Sequence, residues 1–394
     1  MDLEQGRITR IHDFNMNFNS LKSRLRELNQ KYPTGVIIPL HEKDLDNPGL
    51  LKIVEGLNEC DYLRKVFIAL SATNDNNYEK AKRYSSEFKI PCEIIWCNKP
   101  QVDSVLEELK RKGLDVTKSK GKGKDLWLAF GIASLELYAF AVHDADIVSY
   151  SGMLPTKLLY AVVEPRLDFS FSKGYYARIN LDTKKMYGRI YRLFVNPLLD
   201  ALQEKLNHNS TFIRYLQSFR YPLSGEIAIY SDLAMNLRIP EDWGLELGTL
   251  AELYRNVSNK RICEVDLGFY EHRHKEMISE DLLRTAEDAL STLLRTLTET
   301  EGIDVSEHFL ISLQVTYRRF AQDRIRQYHS DALCNLLNFD RHEEEATVDA
   351  LSEIILLAGR RYLKNPIGAQ LPDWLRMISA MPDARERLRK AAIE

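Results

Sequence analysis

The sequence predicts an open α/β sheet of parallel strands followed by a region of α-helices. Short apolar segments alternate with segments of helical periodicity over roughly the first hundred residues. Such alternation is typical of parallel strands joined by helical crossovers. Strand patterns end near residue 279, and long segments with helical periodicity follow. We therefore expect a helical lead-in (1–34), a sheet domain (35–278) and an α-helical C-terminal region (279–394).

Each predicted element combines a spacing of apolar residues that is typical of a strand or a helix with residue types that favour the same structure. The predicted strands, rich in β-branched and aromatic residues, are 35–40 (GVIIPL), 64–70 (RKVFIAL), 92–97 (CEIIWC) and 137–142 (LYAFAV). The predicted helices of the first half are 19–31, 47–57, 77–88 and a segment from about 125 to 134. In the C-terminal region, helical periodicity covers 280–297, 309–333 and 344–363.

The composition excludes several classes of protein. A net charge of −3 gives no support to broad nucleic-acid binding. The five cysteines are scattered without zinc-binding spacing, and we expect them to be reduced. The polar start does not match a signal peptide, and no apolar stretch makes a convincing membrane span. We expect a cytoplasmic protein that binds neither nucleic acid nor a membrane.

Polar residues follow the predicted strands, where open parallel sheets bind their ligands. The segment AVHDADI ends one strand with Asp144 and Asp146. Alternate residues of an extended segment point to the same side, so both carboxylates can face one divalent cation. A solvated turn is the alternative interpretation of this short motif.

The segment GKGKDLW places Lys122 between two glycines at the start of a predicted helix. Glycines there let backbone N–H groups approach an anion, and Lys122 adds a full charge. The pattern is not a P-loop, and a solvated loop remains possible.

Further candidates occur later in the chain. Arg189 and Arg192 introduce a helix, and their guanidinium groups match phosphate and carboxylate geometry. In EHRHKE, an imidazole such as His274 could complete the coordination of an ion held by Asp146. Glu226 follows a glycine at a strand start, where it could bind a sugar hydroxyl or cap a turn. Solvent exposure is the alternative for each of them.

Taken in order, seven segments resemble the glucosyl-3-phosphoglycerate synthases: IIPLHE, GKGKDLW, AVHDADI, GRIYRLFVNPLL, PLSGE, WGLELG and VDLGFYEHRHKE. The resemblance covers roughly 35–276. It implies a GT-A fold, with a Rossmann-type nucleotide-binding sheet divided into a donor half (about 35–150) and an acceptor half (about 151–278). It also implies a homodimer that transfers glucose, with retention, from a nucleotide sugar such as UDP-glucose to 3-phospho-D-glycerate.

The resemblance assigns donor residues to the predicted strand ends. The residues that would contact the nucleotide are Pro39, Leu40, Glu42, Ser71, Lys122 and Asp144. Asp146 and His274 would ligate Mg²⁺ or Mn²⁺. The cation and Lys122 would stabilise the negative charge that builds up on the leaving diphosphate.

The resemblance places the acceptor against the segment YGRIYR. The residues that would bind it are Gly188, Arg189, Tyr191 and Arg192. Tyr191 stands where a threonine often helps to bind the acceptor phosphate, which leaves open how strictly the acceptor must be phosphorylated. Glu226 would face the donor glucose, and attack from the face of the leaving group is favoured over a carboxylate nucleophile.

Three other functions are compatible with parts of the pattern. A mannosyl-3-phosphoglycerate or glucosylglycerate synthase differs in pocket shape, with a GDP-sugar donor or an unphosphorylated acceptor. A sugar nucleotidyltransferase shares the sheet and the acid pairs, but its glycine-rich loop is missing from PLHEKDL. A scaffold whose helical region is the functional part would not bind a nucleotide with metal.

Overall fold

The computed structural model describes residues 5–180, 182–241, 244–271, 279–366 and 370–393. Its strands are β1 (Thr9–Ile11), β2 (Thr34–His41), β3 (Lys65–Ser71), β4 (Cys92–Trp96), β5 (Ala139–Val142), β6 (Phe171–Asn180), β7 (Lys185–Met186), β8 (Ile227–Tyr230) and β9 (Ile262–Tyr270). Across the sheet their order is β1-β9-β6-β8-β5-β2-β3-β4, and β7 pairs with β6 outside this row.

The helices cover both faces of the sheet. They are α1 (Phe18–Asn29), α2 (Gly49–Asn58), α3 (Asp75–Ser86), α4 (Pro100–Arg111), α5 (Lys122–Ala133), α6 (Met153–Val163), α7 (Asn196–Lys205), α8 (Thr211–Leu216), α9 (Ser231–Met235), α10 (Leu245–Asn256), α11 (Glu280–Glu301), α12 (Glu307–Cys334), α13 (Arg341–Lys364), α14 (Trp374–Ala380) and α15 (Ala384–Ile393). A π-helical segment, Ile190–Val195, leads into α7. In the described part of the chain, none of these helices is long and apolar enough to cross a membrane.

The predicted parallel sheet is confirmed for the first half of the chain. Strand β2 pairs in parallel with β3 and β5, and β3 pairs in parallel with β4. The second half is mixed, because β8 runs antiparallel to both β5 and β6, while β9 is parallel to β6. Successive side chains of a strand point to opposite faces. Ile37 and Phe67 therefore pack with α4 and α5, whereas Val36 and Ile38 pack with α1 and α2.

The predicted C-terminal helices are confirmed as α11, α12 and α13, and they share one core with α4, α5 and α7. The last part of the chain packs on α5, where Trp374 stacks on Trp127 with ring centroids 4.5 Å apart. The indole Nε1 of Trp374 donates to the Trp127 carbonyl oxygen at 2.8 Å. The indole Nε1 of Trp127 donates to the Pro372 carbonyl oxygen at the same distance, 2.8 Å. The boundary predicted at residue 279 stays a prediction.

Two expectations need correction. The lead-in contains the predicted helix as α1, but it also contributes β1, which pairs with β9 at the edge of the sheet. Helix α5 begins at Lys122 rather than near residue 125. Lys122 therefore belongs to the first turn of the helix instead of the loop before it.

Candidate active site

The ends of three parallel strands meet at one edge of the sheet. His41 and Ser71, the last residues of β2 and β3, are partners in the register. Val142, the last residue of β5, pairs with Ile37 of β2. Asp144 and Asp146 follow directly, so the predicted convergence of polar groups is confirmed at this edge.

On the donor side of the site, the Lys122 ammonium lies between two carboxylates. Its Nζ lies 2.7 Å from Asp144 Oδ1 and 3.2 Å from Glu246 Oε1. Burial on its own would lower the pKa of Lys122, but the two carboxylates outweigh burial and raise the pKa above its ordinary range. Lys122 is therefore a fixed positive charge at neutral pH.

The carboxylate of Asp144 lies directly against the backbone of Gly225. A Cβ atom at position 225 would be 2.8 Å from Asp144 Oδ2, closer than van der Waals contact allows. This close approach explains the glycine of the PLSGE segment, because any larger residue would displace the carboxylate.

The donor-side and acceptor-side residues line one cavity of about 260 Å³. Lys122, Asp144 and Asp146 contribute to its wall, as do Gly188 and Arg189. The C-terminal region completes the wall with residues of α11 such as Leu282 and Thr285. The cavity is therefore built from both halves of the sheet domain and from the helices that follow it.

The loop that contains Gly188 and Arg189, here called the acceptor-side loop, turns sharply at Gly188. The φ of Gly188, 77°, lies in the left-handed region that favours glycine. Arg189 follows it at the cavity wall. Burial lowers the pKa of Arg189, and the nearby Glu344 carboxylate acts in the opposite direction. An arginine keeps its charge under such a shift, so this part of the wall is cationic.

Acceptor binding by Tyr191 and Arg192 stays a prediction. Neither Tyr191 nor Arg192 is among the described residues that line the cavity. Arg192 forms a bidentate ion pair with Glu344 of α13, with nitrogen–oxygen distances of 2.9 and 3.0 Å. Its Nε also donates to the Tyr187 carbonyl oxygen at 2.9 Å. Arg192 therefore fastens the acceptor-side loop to the C-terminal helices.

Glu226 is completely buried behind the cavity wall. It accepts hydrogen bonds from the hydroxyl groups of Tyr176, at 2.6 Å, Ser224, at 3.2 Å, and Tyr270. Tyr270 itself lines the cavity, whereas Glu226 is not among the described lining residues. Its predicted contact with the donor glucose stays a prediction.

The other predicted nucleoside contacts lie at the same sheet edge, outside the described cavity lining: Pro39, Leu40, Glu42 and Ser71. Leu40 is buried in β2, directly after Pro39. Ser71 Oγ donates to Asp125 Oδ2 at 2.6 Å. Glu42 accepts bonds from the Thr73 backbone N–H, the Thr73 hydroxyl and the Asn77 amide, which hold its pKa below the ordinary value. Their role in binding uracil and ribose stays a prediction.

A divalent cation fits the donor side of this cavity. His274 lies outside the described residues, and within them no group of three or more His, Cys, Asp or Glu side chains could hold a metal ion. Mg²⁺ is usually bound by one or two carboxylates together with substrate phosphates rather than by a complete protein cage. Asp146 at the cavity wall suits that kind of site.

Sequence reasoning missed several cavity residues. Arg178 of β6, Tyr221 and Tyr270 all line the wall. A guanidinium at the end of a largely apolar strand could have indicated Arg178, since charged groups are uncommon there. No comparable sequence pattern marks the cavity residues of α11, because in the sequence they belong to an ordinary amphipathic helix.

Comparison with known proteins gives consistent relatives, although no family model matches the chain. The glucosyl-3-phosphoglycerate synthase of Methanococcoides burtonii is 49% identical over 396 residues, covering 100% of this chain and 98% of that protein. The protein of the same name from Persephonella marina is 36% identical over 399 residues, covering 99% and 98%. The Mycolicibacterium smegmatis protein of that name is 26% identical over 200 residues, which are 50% of this chain and 61% of that protein.

Solved structures confirm the predicted GT-A fold. Mannosyl-3-phosphoglycerate synthase from Rubrobacter xylanophilus superposes with a TM-score of 0.54 and 21% identity, over 72% of this chain and 79% of that one. Glucosyl-3-phosphoglycerate synthase from Mycobacterium tuberculosis, crystallised with Mg²⁺ and UDP, gives 0.54 and 19% identity, over 76% and 89%. Because two relatives are at least 36% identical along nearly their whole length, the chain belongs to the glucosyl-3-phosphoglycerate synthases.

Proposed function

We propose that the chain transfers glucose from UDP-glucose to 3-phospho-D-glycerate, with retention of the anomeric configuration. The observation that carries this proposal is the shared cavity. Lys122 and Asp146 line it on one side, and Gly188 and Arg189 on the other. A donor diphosphate and an anionic acceptor can thus meet within one site of a chain from this family.

On the donor side, Asp146 would hold Mg²⁺ or Mn²⁺, with His274 as a further ligand. When bound, the cation supplies positive charge that neutralises the leaving diphosphate. Lys122 contributes a second positive charge to the same cavity. Asp144 fixes the position of the Lys122 ammonium and would also contact the ribose. Charges placed before the reaction stabilise the transition state without reorganisation.

On the acceptor side, Arg189 would bind an anionic group of phosphoglycerate. A guanidinium offers parallel N–H donors that match a carboxylate or a phosphate. The sharp turn at Gly188 brings the loop backbone to the cavity wall beside Arg189. This arrangement favours a small charged acceptor over a neutral sugar.

Retention requires either a carboxylate nucleophile or attack from the face of the leaving group. Glu226 is the acid that the family resemblance places beside the donor glucose, but its carboxylate is buried and accepts hydrogen bonds from three hydroxyl groups. Such an acid is poorly placed to attack an anomeric carbon. We therefore favour same-face attack, in which the leaving phosphate takes the proton of the acceptor hydroxyl.

A donor–acceptor matrix tests this function. UDP-glucose, GDP-glucose and GDP-mannose are each combined with 3-phosphoglycerate or glycerate, with and without EDTA. The proposal expects the fastest transfer from UDP-glucose to 3-phosphoglycerate, and its loss in EDTA. Faster transfer of mannose, or equal use of glycerate, would replace it by one of the related synthases. Release of pyrophosphate from a nucleoside triphosphate would indicate a nucleotidyltransferase instead.

Two accompanying expectations concern assembly and location. The chain would act as a homodimer in the cytoplasm, and light scattering of the purified protein would test the dimer. A monomer with full activity would contradict it.

A further inference from the structure

Arg178 is a cavity residue that sequence analysis did not identify. It lies near the end of β6 and borders the acceptor-side loop. A Cβ atom at Gly188 would be 3.7 Å from Arg178 Cδ and 3.8 Å from the Tyr221 hydroxyl. The Arg178 side chain is thus in near contact with the turn that presents Arg189.

The guanidinium of Arg178 has no carboxylate partner among the described residues, and its only hydrogen bond there runs from Nη1 to the neutral hydroxyl of Tyr221, at 3.0 Å. Its Nε is buried without a hydrogen-bond acceptor. Two other basic groups differ, since Lys122 contacts two carboxylates and Arg192 binds Glu344. A buried cation is costly unless an anion compensates it.

We propose that Arg178 is an acceptor-binding residue whose counter-charge is an anionic group of the substrate. This inference rests on the proposed function, in which the acceptor carries both a carboxylate and a phosphate. Arg178 binds one of these groups and Arg189 binds the other. Tyr221 occupies one N–H of Arg178 and orients the planar group, which leaves further N–H donors for the substrate.

This arrangement determines which acceptors the site prefers. A glycerate without phosphate offers a single anionic group, so Arg178 and Arg189 cannot both bind an anionic group of the acceptor. A site whose buried charged groups stay unpaired discriminates strongly against the smaller ligand. Arg178 therefore favours the phosphorylated acceptor even though Tyr191 replaces the usual threonine.

The test compares Arg178→Gln with Arg178→Lys and with Arg261→Gln, a control that removes an exposed arginine paired with Asp168 away from this cavity. We expect Arg178→Gln to raise the KM for 3-phosphoglycerate about 10- to 100-fold, the effect of losing a charge-assisted contact. The KM for UDP-glucose should change less than about twofold, and Arg178→Lys should recover part of the loss. An unchanged KM for 3-phosphoglycerate, or an equal rise for both substrates, would overturn the proposal.

Inhibition by two smaller anions assigns the group that Arg178 binds. Glycerol 3-phosphate carries only the phosphate, and D-glycerate carries only the carboxylate. We expect Arg178→Gln to raise the inhibition constant of one of them and to leave the other within about twofold. Weakening of both to the same extent would show that Arg178 acts on the cavity as a whole, which contradicts the proposal.

Thermal unfolding separates this role from a structural one and does not depend on catalysis. Without substrate, Arg178→Gln should unfold at the wild-type Tm or above it, because it removes a half-buried guanidinium that has no carboxylate partner among the described residues. Adding 3-phosphoglycerate should raise the Tm of the wild type clearly more than that of the variant. A lowered Tm together with an unchanged 3-phosphoglycerate shift would make Arg178 structural. If the wild type binds 3-phosphoglycerate without transferring glucose, the proposed function fails, whereas the Tm shift still tests Arg178.

Discussion

The donor side and the acceptor side of the cavity are held in place over different distances along the chain. On the donor side, Lys122 and Asp144 lie within one strand–helix unit and contact each other directly. On the acceptor side, the loop at Gly188 is fastened by Arg192, whose partner Glu344 lies 152 residues further on. On the donor side, the local pair Lys122–Asp144 is supplemented by Glu246 and by the backbone at Gly225, whereas the described anchor of the loop at Gly188 comes from the C-terminal helices.

The largest expected effect concerns the donor side. Asp146→Asn should lower kcat at least about 10²- to 10³-fold, because it weakens the site for the cation that stabilises the leaving group. The Tm should change by only a few degrees, since Asp146→Asn keeps the size and shape of the side chain. Steady-state kinetics and a Mn²⁺ titration followed by electron paramagnetic resonance measure both effects. Normal Mn²⁺ affinity in the variant would remove Asp146 from the metal site.

The predicted second ligand can be tested with a neighbouring control. His274→Ala should weaken Mn²⁺ binding as Asp146→Asn does, whereas His272→Ala should bind Mn²⁺ like the wild type. The opposite result would transfer the ligand role to His272.

The next effect concerns the fastening of the acceptor side. Glu344→Gln leaves Arg192 buried without its counter-charge and should reduce the free energy of unfolding by about 3–5 kcal/mol. It should also raise the KM for 3-phosphoglycerate more than that for UDP-glucose, because the loop at Gly188 loses its anchor. Denaturant titrations and steady-state kinetics measure these changes.

Two controls sharpen this result. Glu345→Gln removes a neighbouring, more exposed acid that pairs with Arg341, and should change stability by less than about 1 kcal/mol. The double variant Arg192→Met/Glu344→Leu should regain most of the stability, because no buried charge remains. Equal KM increases for both substrates in Glu344→Gln would show that the helices support the whole cavity rather than its acceptor side.

A smaller effect is expected for Arg189→Ala, which removes a guanidinium from the cavity wall. The KM for 3-phosphoglycerate should rise about 10- to 100-fold, as expected for a lost charge-assisted contact. The KM for UDP-glucose should stay within about twofold. An unchanged KM for 3-phosphoglycerate would move the acceptor site away from the loop at Gly188.

The smallest effect tests a contact on the face of the sheet that carries α1 and α6. Hydrogen bonds from Arg166 and Arg24 lower the pKa of Glu164 from 4.5 to about 2. As the pH falls, Glu164 therefore takes up its proton at a higher pH in the unfolded chain than in the folded protein. Its stabilising effect is present above pH 4.5 and is lost as the pH falls toward 2. The wild type should exceed Glu164→Gln in unfolding free energy by about 1 kcal/mol above this range, with the difference vanishing below it. Glu27→Gln, which removes an exposed partner of Arg24, should lower the unfolding free energy at neutral pH by less than Glu164→Gln does.

The same contrast explains how much of the molecule could be predicted from its sequence. Buried parallel strands are continuous apolar runs, so β2 to β5 and the acids that follow β5 could be identified from local patterns. Strand β1 is three residues long and exists through its pairing with β9, which no local period reveals. A guanidinium at a helix start can bind a substrate anion, pair with a carboxylate of the fold or lie in solvent, and the local sequence is the same in each case. The sequence around Arg192 therefore predicted substrate binding as readily as an ion pair. Only the fold brings Glu344 to it.

The stacked pair of Trp127 and Trp374 has a consequence for the order of events during synthesis. Trp374 follows Trp127 by 247 residues, and translation at about 5–20 residues per second delivers it on the order of tens of seconds later. Until then the ribosome-bound chain exposes the flank of α5 that this indole covers. A nascent chain can therefore form its parallel strands early, but the helix that bears Lys122 receives this support only after the residues around Trp374 have left the ribosome.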